Sequence, residues 1–517
     1  PPPGTKAIRL DQVIENTALL RYIFSGHMSY GSVQTIPHGD VAQAHHEVHS
    51  GGAGKGEGGL PRRLYDTVRN GTNTQWGSGR FGTNGQELTH IYDDGYLNIK
   101  VFQGAKQIGG ELPARKVTIE IAMTRHALPG TDLVSPPPHH DLYSIEDVRG
   151  LIMAHIAAGN EVSVKLAATA AIDPIVCGLA KAGVKEIQIA SSDGGTGAAP
   201  HYEQTDSGLP SLIGLIRAHN ALVKNGTRTN VKLSVSGSFK SEMELMIALL
   251  FSDNVETGTL QLIGAGCDVI DECFKAQTHP LDGDGMPIEG GCSKGVTNSP
   301  QLYTGTVEEI SRLNMEMVAK MREILAKFGC KDLDEWKQMR SQIRLNIPEH
   351  LKKFASKDAA WTQFFSTPEG DDPKAPPAIF EFEELKDRKD EKIKADIFAK
   401  LDAFLAEHPD CTDFTHWDGP LFDIECDIDT SDQAFGAAFL NRKTGQGSIY
   451  ERLVKKPKSG PLPELKPGQV FVNEDAVRII CRGNTGQRFG FCLSHGIHLD
   501  LRGRAHDYVG NSMSGGK

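Results

Sequence analysis

From about residue 20 to residue 305 short apolar runs alternate with amphipathic stretches, and the apolar runs end in glycine-rich turns. Residues 161–166 (EVSVKL), 186–191 (EIQIAS), 231–237 (VKLSVSG) and 257–264 (TGTLQLIG) read as buried strands. Each gap leaves room for one crossover helix, predicted at 172–182, 209–224 and 241–251. Parallel strands joined by helices define an α/β protein, either a barrel or an open doubly wound sheet, and repetition on this scale favours a (β/α)8 TIM-type barrel over residues 1–345.

The pattern then changes twice. A helix at 307–328 is followed by the proline-rich stretch 367–377 and the densely charged EFEELKDRKDEKI at 381–393, which reads as a solvated helix or linker. Residues 346–420 are accordingly expected to form a helical, charged linker region. From 421 to 517 short strands are separated by recurring glycines (Gly486, Gly490, Gly496, Gly503, Gly510, Gly515, Gly516), the spacing of coils in a right-handed β-helix. The chain ends soon after that pattern is established, so a partial β-helix is expected.

Composition narrows the function. The 517 residues carry 66 acidic and 55 basic side chains, a net charge of −11, so the basic face that nucleic-acid binders rely on is missing. No window approaches the roughly 20 apolar residues of a membrane-spanning helix. Nine cysteines are too sparse for a disulfide scaffold and point to a reducing compartment. The 56 glycines and 27 prolines exceed the usual combined share of about 12%, without a low-complexity period. Residues 1–10 lack a secretory or transit pattern, as expected if a signal has been removed or the chain begins inside a longer polypeptide.

Candidate chemistry gathers on the loops. The string Asp193-Gly194-Gly195-Thr196-Gly197-Ala198 follows a predicted strand, where glycines let backbone N–H groups approach a phosphate or a flat ring. Met28-Ser29-Tyr30-Gly31-Ser32, Ser78-Gly79-Arg80-Phe81-Gly82 and Gln103-Gly104-Ala105-Lys106 have the same loop character. Lys165 lies within a strand, and alternation points it into the barrel with Ser163; a buried ammonium is costly unless an anion accepts it. The block from Ser135 to Asp141 (SPPPHHD) reads as a proline-stiffened loop with hydrogen-bonded histidines, and His45, His46 and His49 as surface residues of a helix.

Together these strings resemble the synthase part of the glutamate synthase large subunit. MSYGS, GEGGLP (56–61), SGRFG, QGAK, SPPPHHDLYSIED (135–147), VSVKL and SDGGTGAAP (192–200) stand in that family's order. DIDTSD (427–432), GNTGQRFG (483–490), GRAHDYVG (503–510) and SGG (514–516) resemble the start of its glycine-repeat β-helix.

The resemblance implies an FMN-bearing barrel that reduces 2-iminoglutarate, formed from 2-oxoglutarate and ammonia, to glutamate. Met28, Ser29, Gly31, Ser78, Gln103, Asp193, Gly194 and Gly195 would line the flavin and substrate. Arg80, Lys106 and Lys165 would supply cations, with Ser29 beside the reacting centre, and Gly237, Ser238, Gly258 and Thr259 would hold the FMN phosphate. Cys267, Cys273 and Cys292 would ligate a three-iron four-sulfur (3Fe-4S) cluster.

This chain also departs from the family. Lys106-Gln-Ile-Gly-Gly-Glu111 replaces a Lys-Pro-Gly-Glu-Gly-Gly-Gln loop, Ser236-Gly-Ser-Phe239 replaces Asp-Gly-Gly, and Glu256-Thr-Gly-Thr259 replaces Gly-Phe-Gly-Thr. An insertion separates Cys273 from Cys292, where the family spaces its ligands C-x5-C-x4-C. No room precedes MSYGS for the glutamine-hydrolysing domain, so ammonia and electrons are expected from elsewhere, the latter from a donor subunit or ferredoxin. The implied setting is an oligomeric enzyme of the cytoplasm or of a plastid or mitochondrial matrix; the alternative is a degenerate relative kept as a structural or assembly component.

Overall fold

A computed structural model of the chain describes residues 4–60, 64, 67–68, 73–79, 96–104, 110–135, 139, 141–192, 194, 199, 207–269, 294–296, 302–341, 382, 385–408, 420–441, 447–453, 476–511, 513 and 517. The strands are β1 (Ile23–Met28), β2 (Gly52–Lys55), β3 (Asn73–Trp76), β4 (Tyr96–Lys100), β5 (Gly110–Leu112), β6 (Leu133–Ser135) and β7 (Glu161–Ala167). They continue as β8 (Glu186–Ala190), β9 (Lys232–Gly237), β10 (Asn254–Thr257), β11 (Phe422–Ile428), β12 (Val477–Asn484) and β13 (Ile497–Arg504).

Eight of these close a parallel barrel in the order β1-β10-β9-β8-β7-β4-β3-β2, while β5 and β6 form a separate antiparallel pair. The expected TIM-type barrel is therefore present. Helices Ile145–Ala157, Ile172–Lys181, Ser211–Lys224 and Val307–Lys327 surround it. Alternation decides which side chains meet them: Leu97, Ile99, Val164, Leu166, Ile187, Ile189, Leu233, Val235 and Val255 join one apolar core with those helices. The other members of each strand point inward, and many are polar: Asn98, Lys100, Ser163, Lys165, Gln188, Ser234 and Glu256 are all buried. An ordinary barrel interior is dominated by branched aliphatic side chains.

One predicted strand falls in the wrong place. Residues 257–264 are the end of β10 followed by the helix Thr259–Gly264; the strand itself is the preceding Asn254–Thr257. The run Leu260-Gln261-Leu262-Ile263 mimics a buried strand because a short helix buried on one face carries the same composition.

The charged segment at 381–393 is also more than a solvated surface. Helix Lys389–Glu407 buries Asp390, Ile393, Lys394, Ile397, Phe398 and Leu401. Its apolar members share a second core with Ile424, Val477, Ile479, Phe489 and Ile497 from β11 to β13 and their connections. Asp390 accepts backbone N–H bonds from Gly436 (2.9 Å) and Ala438 (3.2 Å) and pairs with Arg388 at 2.8 Å, which is how a carboxylate survives burial there.

The strands β11, β12 and β13 form a parallel sheet in sequence order, and β12 and β13 are offset by one 20-residue step from Val477↔Ile497 to Asn484↔Arg504. This unit packs directly on the barrel. Phe491 stands edge-on to Trp76 (6.1 Å) and His155 (5.0 Å), and Asn511 Nδ2 donates to Asp141 Oδ2 at 2.9 Å.

Candidate functional site

The C-terminal ends of the barrel strands meet in a ring of close backbone approaches. Gly56 N donates to Met28 O (3.0 Å), and a Cβ on Gly56 would lie 2.5 Å from Ser29 Oγ. A Cβ on Gly104, after β4, would lie 2.1 Å from the Ser191 carbonyl, after β8. A Cβ on Gly237, at the end of β9, would lie 2.6 Å from Ser211 Oγ and 2.8 Å from Ser191 Oγ. Gly26 packs against the Gly258 nitrogen, which closes the ring, whereas the side-chain direction of Gly258 meets nothing within 4 Å among the described residues.

Inside this ring the side chains form two layers. In the lower one, Gln75, Asn98, Ser163 and Glu186 are register partners on β3, β4, β7 and β8. Gln75 Nε2 donates to Asn98 Oδ1 (3.1 Å) and Asn98 Nδ2 to Ser163 Oγ (2.8 Å), so these amides are occupied. Burial, with the nearby Glu256 charge second, pushes the Glu186 carboxyl up to about 7.

The upper layer is Lys100, Lys165, Gln188 and Ser234 on β4, β7, β8 and β9. Lys100 Nζ pairs with Glu57 Oε1 at 3.0 Å, both side chains only 9% exposed. The rest of the layer is unsatisfied. Both polar atoms of the Gln188 amide and the Ser234 hydroxyl are buried without a hydrogen-bond partner. Lys165 is buried and makes no hydrogen bond or ion pair among the described residues. Burial lowers its pKa, opposed by the charges of Glu256 and Glu57. Buried polar groups are normally satisfied, and a cation, an amide and a hydroxyl left open at the mouth of a barrel have the chemistry to accept a polar, anionic ligand.

Those predicted residues that are described sit at or after the ends of barrel strands. Met28 ends β1 and its carbonyl also accepts from His38 Nε2 at 2.9 Å. A Cβ on Gly31 would lie 3.2 Å from Arg125 Nη2, and that guanidinium donates to Tyr30 O at 2.6 Å. Ser78 and Gln103 are half-buried after β3 and β4, Gly194 N donates to Ser191 O (3.3 Å), and Ser238 and Thr259 are half-buried beside Gly237 and Gly258. Arg80, Lys106, Asp193 and Gly195 lie outside the described residues.

Of the three cysteines, only Cys267 is described, half-buried and packed near Met28 and Val296. Cys273 and Cys292 lie outside the described residues. Lys294 Nζ stands 3.8 Å from Asp268 Oδ1, which brings the chain just past position 292 beside the residue after Cys267.

His139 is buried with Nε2 2.6 Å from Lys100 O, the hydrogen-bonded structural histidine expected of its loop. The surface reading of the other cluster holds for His46 and His49 and fails for His45, which is 1% exposed and bonded through Nδ1 to Ser50 Oγ at 2.5 Å. Helix Thr35–Glu47 packs its His45 side inward, a fact a helical run of polar residues conceals.

Sequence reasoning assigned no role to Glu57, Lys100, Gln188, Glu256 or His27. Glu57 stood inside GEGGLP, and Gln188 occupied the same alternating position as Lys165; those were the available signals.

Residues 3–330, well over half of the chain, match the conserved region in glutamate synthase, and residues 466–517 match the GXGXG motif. The chain is 30% identical over 529 residues to glutamate synthase [NADH] of Schizosaccharomyces pombe, covering 99% of this chain and 22% of that protein. It is also 30% identical over 532 residues to the glutamate synthase [NADPH] large chain of Azospirillum brasilense, covering 99% and 31%. A solved mandelate oxidase variant with an FMN monooxide adduct is similar at 13% identity and a TM-score of 0.33, covering 65% of this chain and 86% of that one. The chain thus spans less than a third of the length of these two glutamate synthases. Among the described residues no helix is long and apolar enough to cross a membrane. With its parallel barrel, its order of loop motifs and the match over residues 3–330, the chain belongs to the glutamate synthase family.

Proposed function

We propose that this chain is the synthase barrel of a glutamate synthase, reductively aminating 2-oxoglutarate through 2-iminoglutarate to glutamate. The observation that supports it most is the upper layer, in which Gln188 and Ser234 lack hydrogen-bond partners beside the buried Lys165, above the mutually bonded Gln75, Asn98 and Ser163. A dicarboxylate or a flavin edge would supply both the negative charge and the hydrogen-bond partners that this layer lacks.

FMN suits the same mouth: the open side of Gly258, with Gly237, Ser238 and Thr259 beside it, offers backbone to a phosphate, and Gln188 offers an amide to the polar edge of a flat ring. When bound, FMN would supply the hydride. The residues of the chain bind and orient: Lys165 holds an anionic group, Gln188 and Ser234 fix its direction, and the Met28, Gly104 and Ser191 loops close around it. Ser29, Ser78, Gln103 and Gly194, together with Arg80, Lys106, Asp193 and Gly195, complete the proposed pocket.

Cys267, Cys273 and Cys292 are proposed to hold a 3Fe-4S cluster, supported by the Asp268–Lys294 contact that returns the chain toward Cys267. Ammonia and electrons would come from other domains or subunits. Residues 421–517 are proposed as the first coils of a right-handed β-helix, on the strength of three sequential parallel strands and the GXGXG match.

The visible spectrum of purified chain saturated with FMN tests the reading. Bound flavin absorption that weakens in Lys165→Ala and Gln188→Leu is expected; no flavin absorption in the wild type refutes it.

A further inference from the structure

The barrel interior holds a carboxylate for which this reading has no use. Glu256, near the end of β10, is 2% exposed, and its Oε2 lies 3.1 Å from His27 Nδ1, on a side chain that is fully buried. Its neighbour Val255 faces the apolar core, so alternation turns Glu256 into the barrel, the side that also holds Lys165. The two residues of the pair lie 229 positions apart and meet only because β1 and β10 close the barrel. Gly54 makes room for the ring: a Cβ there would lie 2.8 Å from His27 Cγ.

We propose that Glu256, anchored by His27, is a positioning residue whose carboxylate is the counter-charge that keeps buried Lys165 an ammonium, ready for an anionic ligand. This inference rests on the reading of Lys165 as the anion-binding group. A buried amine without a partner gives up its proton readily. Burial pushes Lys165 down, and the charges that push it back up are Glu256 first and Glu57 second. Glu57 is already engaged by Lys100 at 3.0 Å. Glu256 spends its hydrogen bond on an imidazole N–H, which holds the carboxylate in place and leaves its field to act on Lys165. Among the described residues, further titratable groups of the barrel are Lys100 and Tyr96 on β4, Glu186 on β8 and the buried Lys55 at the end of β2; Gln188, the register partner of Lys165, is neutral.

In the family pattern that the sequence resembles, glycine stands where Glu256 stands here. The counter-charge is then a property of this chain rather than of the barrel in general.

Lysine 13Cε NMR on the full chain reads the charge of individual amines, with Lys165→Met identifying the signal. In the wild type, Lys165 is expected to stay charged at neutral pH. Glu256→Gln should lower its proton affinity about tenfold or more, a full unit of titration midpoint. Glu256→Asp keeps the charge and should restore most of the loss. His27→Ala frees the carboxylate toward the ammonium and should raise the midpoint.

A Lys165 titration identical in the wild type and Glu256→Gln overturns the proposal, as does a wild-type Lys165 already neutral at pH 7. Should Glu256→Gln not fold, an unmoved midpoint in His27→Ala overturns it equally. Calorimetric binding of 2-oxoglutarate to the FMN-saturated chain separates the two levels. A midpoint that shifts as expected without 2-oxoglutarate binding to the wild type refutes the functional reading and leaves the counter-charge standing. Binding with an unmoved Lys165 does the reverse.

Discussion

The Glu57–Lys100 pair offers a quantitative test of how the barrel mouth is held together. The two side chains are 9% exposed and their charges stand 3.0 Å apart. At an effective dielectric of about 20, that separation corresponds to an attraction of roughly 5–6 kcal/mol. Removing one partner strands the other as a buried charge, which typically costs about 3–5 kcal/mol. Lys100→Met should therefore destabilise the chain by that amount. Glu57→Gln should cost at least as much, because the Glu57 charge also acts on Arg125 and Lys165.

The double variant removes both charges and should recover most of the loss, so that the coupling between the two sites exceeds about 3 kcal/mol. Urea unfolding followed by tryptophan fluorescence, with a second probe to confirm a single transition, measures all four proteins. Single variants within about 1 kcal/mol of the wild type, or a double variant as unstable as the sum of the singles, would refute the account of a desolvated, mutually dependent pair.

Gly104→Ala would push a Cβ to 2.1 Å from the Ser191 carbonyl, and the backbone must shift at the mouth; a loss of about 1–3 kcal/mol is expected, and an unchanged melting temperature would contradict the close approach. Burial holds the pKa of both His38 and His45 at about 4, below the free value of 6.5. The unfolded chain therefore binds more protons between pH 6.5 and 4, and stability should fall as pH drops through that window by up to roughly 1.4 kcal/mol per unit for each histidine. His38→Gln should make the slope shallower, and a flat profile in the wild type would count against both assignments. Iron and acid-labile sulfide should be found in anaerobically purified protein and be lost in Cys292→Ser; wild-type protein free of both defeats the cluster proposal.

Much of the fold was legible because a strand has a period of two. The apolar members of EVSVKL and EIQIA face the helices, so Ser163, Lys165 and Gln188 had to face inward, and Lys165 could be picked out as a buried cation before any coordinates. The glycine-rich strings could be placed at strand ends for the same reason.

Short apolar segments were less legible. Leu260 to Ile263 reads equally well as a strand or a helix buried on one face, and the tertiary context made it a helix. The charged run near 390 hid a buried face, because Asp390 and Lys394 find partners on distant backbone, at Gly436 and Asn441.

The sequence by itself determined parallel strands with crossover helices, glycine loops at their ends and an inward lysine, since those follow from local periodicity, while closure of the strands into a barrel is a tertiary fact. Only the tertiary structure decided which charges face one another. Glu57 meets Lys100 across 43 residues, and His27 meets Glu256 across 229. Cys426 and Cys481, 55 residues apart, stand with sulfurs 3.6 Å from each other on register-matched strands. Such pairs are created by barrel closure and strand register, and no spacing along the chain encodes them.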